Sequence, residues 1–62
     1  MQPHEIRSNR MALGYSIPLF AEVLRVDPRL VREWESGARP VPDWLTVAMS
    51  ALLTRRNSRS DA

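Results

Sequence analysis

Arginine is the residue type with the clearest chemical potential in this chain of 62 residues. All nine basic residues are arginine, and lysine is absent. A guanidinium group presents a planar fork of donors that fits phosphate groups and the guanine edge. A GC-rich genome, which replaces lysine by arginine throughout, explains the same composition about as well. The spacing of the arginines therefore matters more than their number.

Groups suited to catalysis or metal binding are scarce. His4 is the only histidine and cysteine is absent, which excludes disulfides and thiolate metal sites. His4 and Glu5 alone are too few ligands for a metal ion, and no glycine-rich phosphate loop is present. We therefore expect no enzyme activity, no cofactor and no metal. No apolar run approaches the ~20 residues that span a bilayer, and no signal-peptide pattern opens the chain, so we expect a cytoplasmic protein.

Proline and glycine divide the chain into four segments of helical length. The first covers about residues 3–13 and stops at Gly14, and the second covers about 17–25 and is capped by Ser16. Asp27 and Pro28 open the third, which ends at Gly37, and the fourth covers about 42–55. The expected fold class is all-α: a compact four-helix domain over residues 1–56, with or without a short fifth turn, and a flexible tail over 57–62.

The apolar spacing predicts which face of each helix is buried, and two charged residues interrupt it. Arg10 and Glu35 occupy positions where the pattern calls for apolar side chains. Because an isolated buried charge is costly, we predict that they form an ion pair; the alternative is that one or both are solvated at the rim. The predicted stripes are Ile6, Arg10 and Leu13; Ile17, Phe20, Val23 and Leu24; Val31, Trp34 and Glu35; and Leu45, Ala48, Met49 and Leu52.

Residues 16–37 form two short helices with a tight connection, and Ala21 is small enough to allow a close helix crossing. This arrangement is typical of the helix-turn-helix, whose second helix enters the major groove. The residues Phe20-Ala21, Leu24, Val26-Asp27, Val31 and Trp34-Glu35-Ser36-Gly37 resemble the Cro- and Xre-type helix-turn-helix family of small phage and bacterial repressors, which implies a lambda-repressor-like fold. With Arg7, Arg10, Leu13-Gly14, Arg39 and Pro42, the similarity covers about residues 5–53. Two departures are Arg25, where the family has a turn glycine, and Pro28, where members often carry a polar residue.

The resemblance implies sequence-specific binding to double-stranded DNA, with transcriptional repression as the expected outcome. The expected base-reading residues of the recognition helix are Arg29, Arg32, Glu33 and Pro28, the residue that begins the helix. Arg29 is the first candidate to contact guanine and Arg32 the second, and Glu33 either accepts from cytosine or orients an arginine. The expected contacts to the DNA backbone are made by Ser16, Ile17, Ser36, Arg39 and Arg10. When bound, the protein would be associated with the nucleoid.

The fourth helix carries more apolar residues than one buried face needs. Trp44, Val47 and Ala51 form a second stripe, which predicts a homodimer on a palindromic operator. The alternative is that Trp44 and its neighbours cover the monomer's own core. The rival function is a protein-interaction module, such as an antitoxin or adaptor that binds its partner through this helix. At this size, the chain resembles phage regulators, antitoxins and autoregulators of anti-CRISPR operons.

Overall fold

A computed structural model of the chain describes the backbone of residues 1–61 and the side chains of residues 1–55. It contains α1 (Pro3–Ala12), α2 (Ile17–Leu24), α3 (Pro28–Ser36) and α4 (Asp43–Asp61), and residues 1–61 include no strand. The predicted all-α class with four helices is confirmed. Helix α4 runs beyond its predicted end near residue 55. The predicted tail, 57–62, lies outside the residues whose side chains are described.

Local caps explain why α2 and α3 begin where they do. The Oγ atom of Ser16 accepts a hydrogen bond from the Leu19 amide at 3.3 Å, which caps α2. An Oδ1 atom of Asp27 accepts from the Arg29 amide at 2.8 Å, and Pro28 fills the first position of α3, where no amide donor is needed. Both helices therefore start at residues that the sequence itself specifies.

The turn between α2 and α3 requires a left-handed backbone at Arg25. Its φ and ψ angles are 61° and 45°, and it is the only non-glycine residue with positive φ in the described chain. The turn closes through a hydrogen bond from the Val26 amide to the Ala21 carbonyl, 2.9 Å long. Arg25, which stands where the family has a turn glycine, therefore keeps the turn by adopting a backbone conformation that is strained for a residue with a Cβ atom.

The core lies between α3 and the other three helices. Helix α3 is in close backbone contact with both α2 and α1. Seven apolar side chains are almost fully buried: Ile6, Phe20, Ala21, Val31, Trp34, Leu45 and Met49. Every helix contributes at least one of them, so the small domain has a single core.

One predicted core residue, Val23, is on the surface. Its side chain is 41% exposed, whereas Ala21 is 1% exposed. Helix α2 turns its Ala21 side toward α3, and at 100° per residue this rotates Val23 away from the core. The prediction for Val23 was therefore wrong, because the spacing alone does not give the crossing point of two helices.

Candidate nucleic-acid interface

An open groove lies between α1, the start of α2 and the outer side of α3. Three of its lining residues are arginines from two different helices, and a single carboxylate accompanies them. The groove is lined by Arg7, Arg10, Ile17, Arg32, Glu35 and Ser36. It therefore concentrates positive charge in a chain whose net charge is only +2.

The predicted ion pair between Arg10 and Glu35 forms one wall of this groove. The Nε atom of Arg10 donates to Oε2 of Glu35 at 2.7 Å, and Nη2 donates to Oε1 at 3.2 Å. Its Nη1 atom donates to the carbonyl oxygen of Tyr15 at 2.9 Å. The two side chains are 11% and 10% exposed, so this is a largely buried, two-pronged pair. It fastens α1 to the C-terminal part of α3.

The remaining groove arginines are not neutralised in this way. Arg7 and Arg32 are both exposed and, among the side chains of residues 1–55, neither forms an ion pair. Arg7 is among the residues that resemble the helix-turn-helix family, but no contact was predicted for it from the sequence. Arg7 lies three residues before Arg10, and residues three apart lie on the same side of a helix. This spacing could have predicted that Arg7 lies beside Arg10.

The N-terminus of α2 opens into the groove at Ile17. Pro18 has no amide hydrogen, and the Leu19 amide donates to Ser16. Of the first three residues of α2, only Ile17 keeps an amide without a partner in the described structure. The groove thus brings together three of the predicted backbone-contacting residues, Arg10, Ile17 and Ser36, while the exposed Ser16 caps the helix at its edge.

The outer face of α3 presents the predicted base-reading residues. Arg29 and Arg32 are exposed, and Pro28 and Glu33 are half-buried. The opposite face of the helix holds Val31 and Trp34 in the core, at 0% and 2% exposure. Helix α3 is therefore fixed in rotation, with its arginine side toward solvent.

Hydrogen bonds at the end of α3 connect Glu33 with the loop that follows. The Nε atom of Arg39 donates to Oε1 of Glu33 at 2.9 Å, with side-chain exposures of 55% and 42%. The Arg39 amide and the Ser36 hydroxyl both donate to the Glu33 carbonyl, at 3.3 Å and 3.2 Å. Glu33 was expected either to accept from cytosine or to orient an arginine, and the structure contains a contact of Glu33 with an arginine, Arg39. Arg39, predicted to contact phosphate, is held at Glu33 and does not line the groove.

Helix α4 carries the predicted second apolar stripe on the surface. Val47 is 71% exposed and Trp44 is 47% exposed, and Ala51 is also exposed. The ring of Trp44 meets that of Trp34 edge-on, with centroids 5.7 Å apart. Trp44 thus covers part of the monomer's own core, as one alternative held, while about half of it remains in contact with solvent.

No protein-family model, curated protein or solved structure matches this chain. The resemblance to helix-turn-helix repressors therefore stands on the residues quoted above. The described residues contain no cluster of His, Cys, Asp and Glu that could hold a metal ion, and no helix among them has the length and apolarity to cross a membrane.

Proposed function

We propose that this protein binds double-stranded DNA in a sequence-specific manner and acts as a transcriptional repressor of the Cro and Xre type. One observation carries the proposal: the exposed, arginine-bearing side of α3 lies next to a groove lined by Arg7, Arg10 and Arg32. In a helix-turn-helix, the second helix enters the major groove while residues around it contact phosphates. On this molecule, a helix side suited to contacts with bases lies next to a groove suited to contacts with phosphates.

In this account the two halves of the interface have different tasks. Arg29 and Arg32 contact base edges, and a guanidinium fork directed at guanine is the contact with the strongest sequence information. Arg7 and the Ile17 amide contact phosphates and set the position of α3. Arg10, whose three nitrogens already donate to Glu35 and Tyr15, supports them by holding α1 against α3. Each phosphate neutralised in this way adds about 0.9 to the slope of log affinity against log salt concentration.

A homodimer completes the proposed repressor. The exposed stripe of Trp44, Val47 and Ala51 supports self-association through α4. A two-fold dimer of this kind would contact a palindromic operator with half-sites about 34 Å apart, one turn of the duplex.

Selection of bound duplexes from a random library tests this function. We expect the wild-type protein to enrich one palindromic motif and Arg29→Ala to lose preference at one position of each half-site, with a cost of about 1–3 kcal/mol. Arg55→Ala, which removes an exposed arginine from α4, is the matched control and should keep the motif. Failure of the wild-type protein to enrich any motif would contradict the proposal.

The exposure of Trp44 and Val47 also favours a second candidate function, an antitoxin-like or adaptor module. Such a protein would use α4 to capture a different protein in a fixed ratio. The selection from a random library of duplexes also distinguishes the two functions. An adaptor would enrich no DNA motif and would bind its partner protein through the α4 stripe.

A further inference from the structure

The contact between Arg39 and Glu33 has a consequence for base recognition, which rests on the proposed DNA-binding function. Glu33 is one helical turn after Arg29, so both side chains emerge from the same side of α3. The Oε1 atom of Glu33 accepts from Arg39, whereas Oε2 has no donor among the described side chains. A carboxylate oxygen with spare acceptor capacity thus lies on the proposed recognition face.

A lone carboxylate at this position would oppose DNA binding, because it would approach a surface dense in phosphate charge. Its pairing with Arg39 removes the net charge of the two side chains. The pair is anchored at two points, since the Arg39 amide also donates to the Glu33 carbonyl. The backbone bond belongs to the left-handed end of α3 at Gly37. An exposed ion pair stabilises a fold very little, so stability is a poor reason for the side-chain contact.

We propose that Arg39 is a positioning residue that holds Glu33 for recognition of a cytosine in the major groove. Cytosine presents its N4 amino group there as a donor, which a carboxylate can accept. Adenine also presents an amino group, but its neighbouring N7 is an acceptor and repels a carboxylate. Arg39 therefore acts on base preference through Glu33, in place of the direct phosphate contact expected from the sequence.

A double-mutant comparison tests this role on the duplex that the wild-type protein selects. Affinities of Glu33→Ala, Arg39→Ala and the double variant are measured on that duplex and on its single base-pair variants. We expect both single variants to lose about fivefold in preference for C at one shared position, near the lower limit for a good base contact. Arg39→Ala should cause no further loss of preference in the Glu33→Ala background, and Arg39→Lys should retain most of it.

The control is Arg55→Ala, which removes an equal charge and should leave preference at every position unchanged. The side chains of Arg39 and Glu33 are 55% and 42% exposed and lie outside the core, so helicity by circular dichroism should be that of the wild-type protein. If Arg39→Ala weakens binding to every duplex equally while all base preferences persist, the positioning role is wrong and Arg39 contacts phosphate. A wild-type protein that selects no motif would instead overturn the proposed function itself.

Discussion

Helices α3 and α4 differ sharply in how completely they bury their apolar residues. Helix α3 buries Val31 and Trp34, keeps Leu30 half-buried, and exposes the side that carries its arginines. In α4, Leu45 and Met49 are fully buried, yet Trp44 and Val47 are 47% and 71% exposed.

This difference indicates a division of labour between the two regions. A helix whose apolar side is covered within the chain can present a rigid polar face to a ligand without help from another molecule. A helix with an uncovered apolar stripe is suited to contact with another protein surface. The charged side of α3 is thus the candidate for DNA, and the apolar side of α4 is the candidate for a second copy.

The largest expected effect is at Trp34, where the two regions meet. Trp34→Ala removes the largest buried side chain and the surface on which Trp44 packs. We expect a loss of about 3–5 kcal/mol, which is most of the stability of a domain this small. Leu19→Ala, at a side chain 42% exposed, is the control in thermal unfolding followed by circular dichroism. Equal melting temperatures for the two variants would contradict the burial of Trp34 in the core.

The next effect comes from the ion pair between α1 and α3. Glu35→Ala leaves the Arg10 guanidinium largely buried without its carboxylate, and we expect a loss of about 3 kcal/mol. The exposed pair provides the matched control, since Glu33→Ala should change stability by less than about 1 kcal/mol. Urea unfolding of both variants measures the difference. Similar losses would mean that the Arg10 pair is solvated.

A smaller effect is expected at the stripe of α4. Val47→Asp inserts a charge into the proposed dimer interface, and we expect self-association to weaken at least tenfold, about 1.4 kcal/mol, while the monomer stays folded. Val23→Asp is the control, because Val23 is an exposed valine on α2. Sedimentation of both variants provides the measurement. A wild-type protein that remains monomeric at concentrations where it binds its operator would exclude this dimer.

The smallest effect is in the turn that joins α2 to α3. Arg25→Gly relieves the left-handed strain, and after the entropy cost of glycine we expect a gain of about 0.5–1 kcal/mol. Gly14→Ala is the reverse test, because Gly14 has a φ of 79° and an added Cβ atom would meet no other atom within 4 Å. Only backbone strain should therefore reduce the stability of this variant. A loss of stability in Arg25→Gly would mean that the arginine side chain contributes more than its backbone costs.

The same contrast between regions explains what the sequence could predict. The starts of α2 and α3 were predictable because Ser16 and Asp27 act through local hydrogen bonds. The Arg10–Glu35 pair was predictable because two charges interrupted apolar stripes. The end of α4 was not, since the fourth segment offers neither a glycine cap nor a proline after its start.

Features that depend on packing or on loop geometry were beyond the sequence. The exposure of Val23 follows from the crossing point at Ala21, which periodicity does not contain. The contact between Glu33 and Arg39 spans the turn after α3, so its partners do not share a helix face. The groove gathers Arg7 with Arg32 only because α1 and α3 pack together.

Amide chemical shifts of the isotope-labelled protein, recorded during titration with its selected duplex, test most directly which region meets DNA. We expect the largest changes at Ile17, Arg29, Arg32 and Glu33, with little change on the exposed stripe of α4 beyond the protein's own dimerisation. A scrambled duplex should cause smaller changes that vanish as salt is raised. Changes concentrated at Trp44 and its neighbours on α4, with α3 unaffected, would contradict the account.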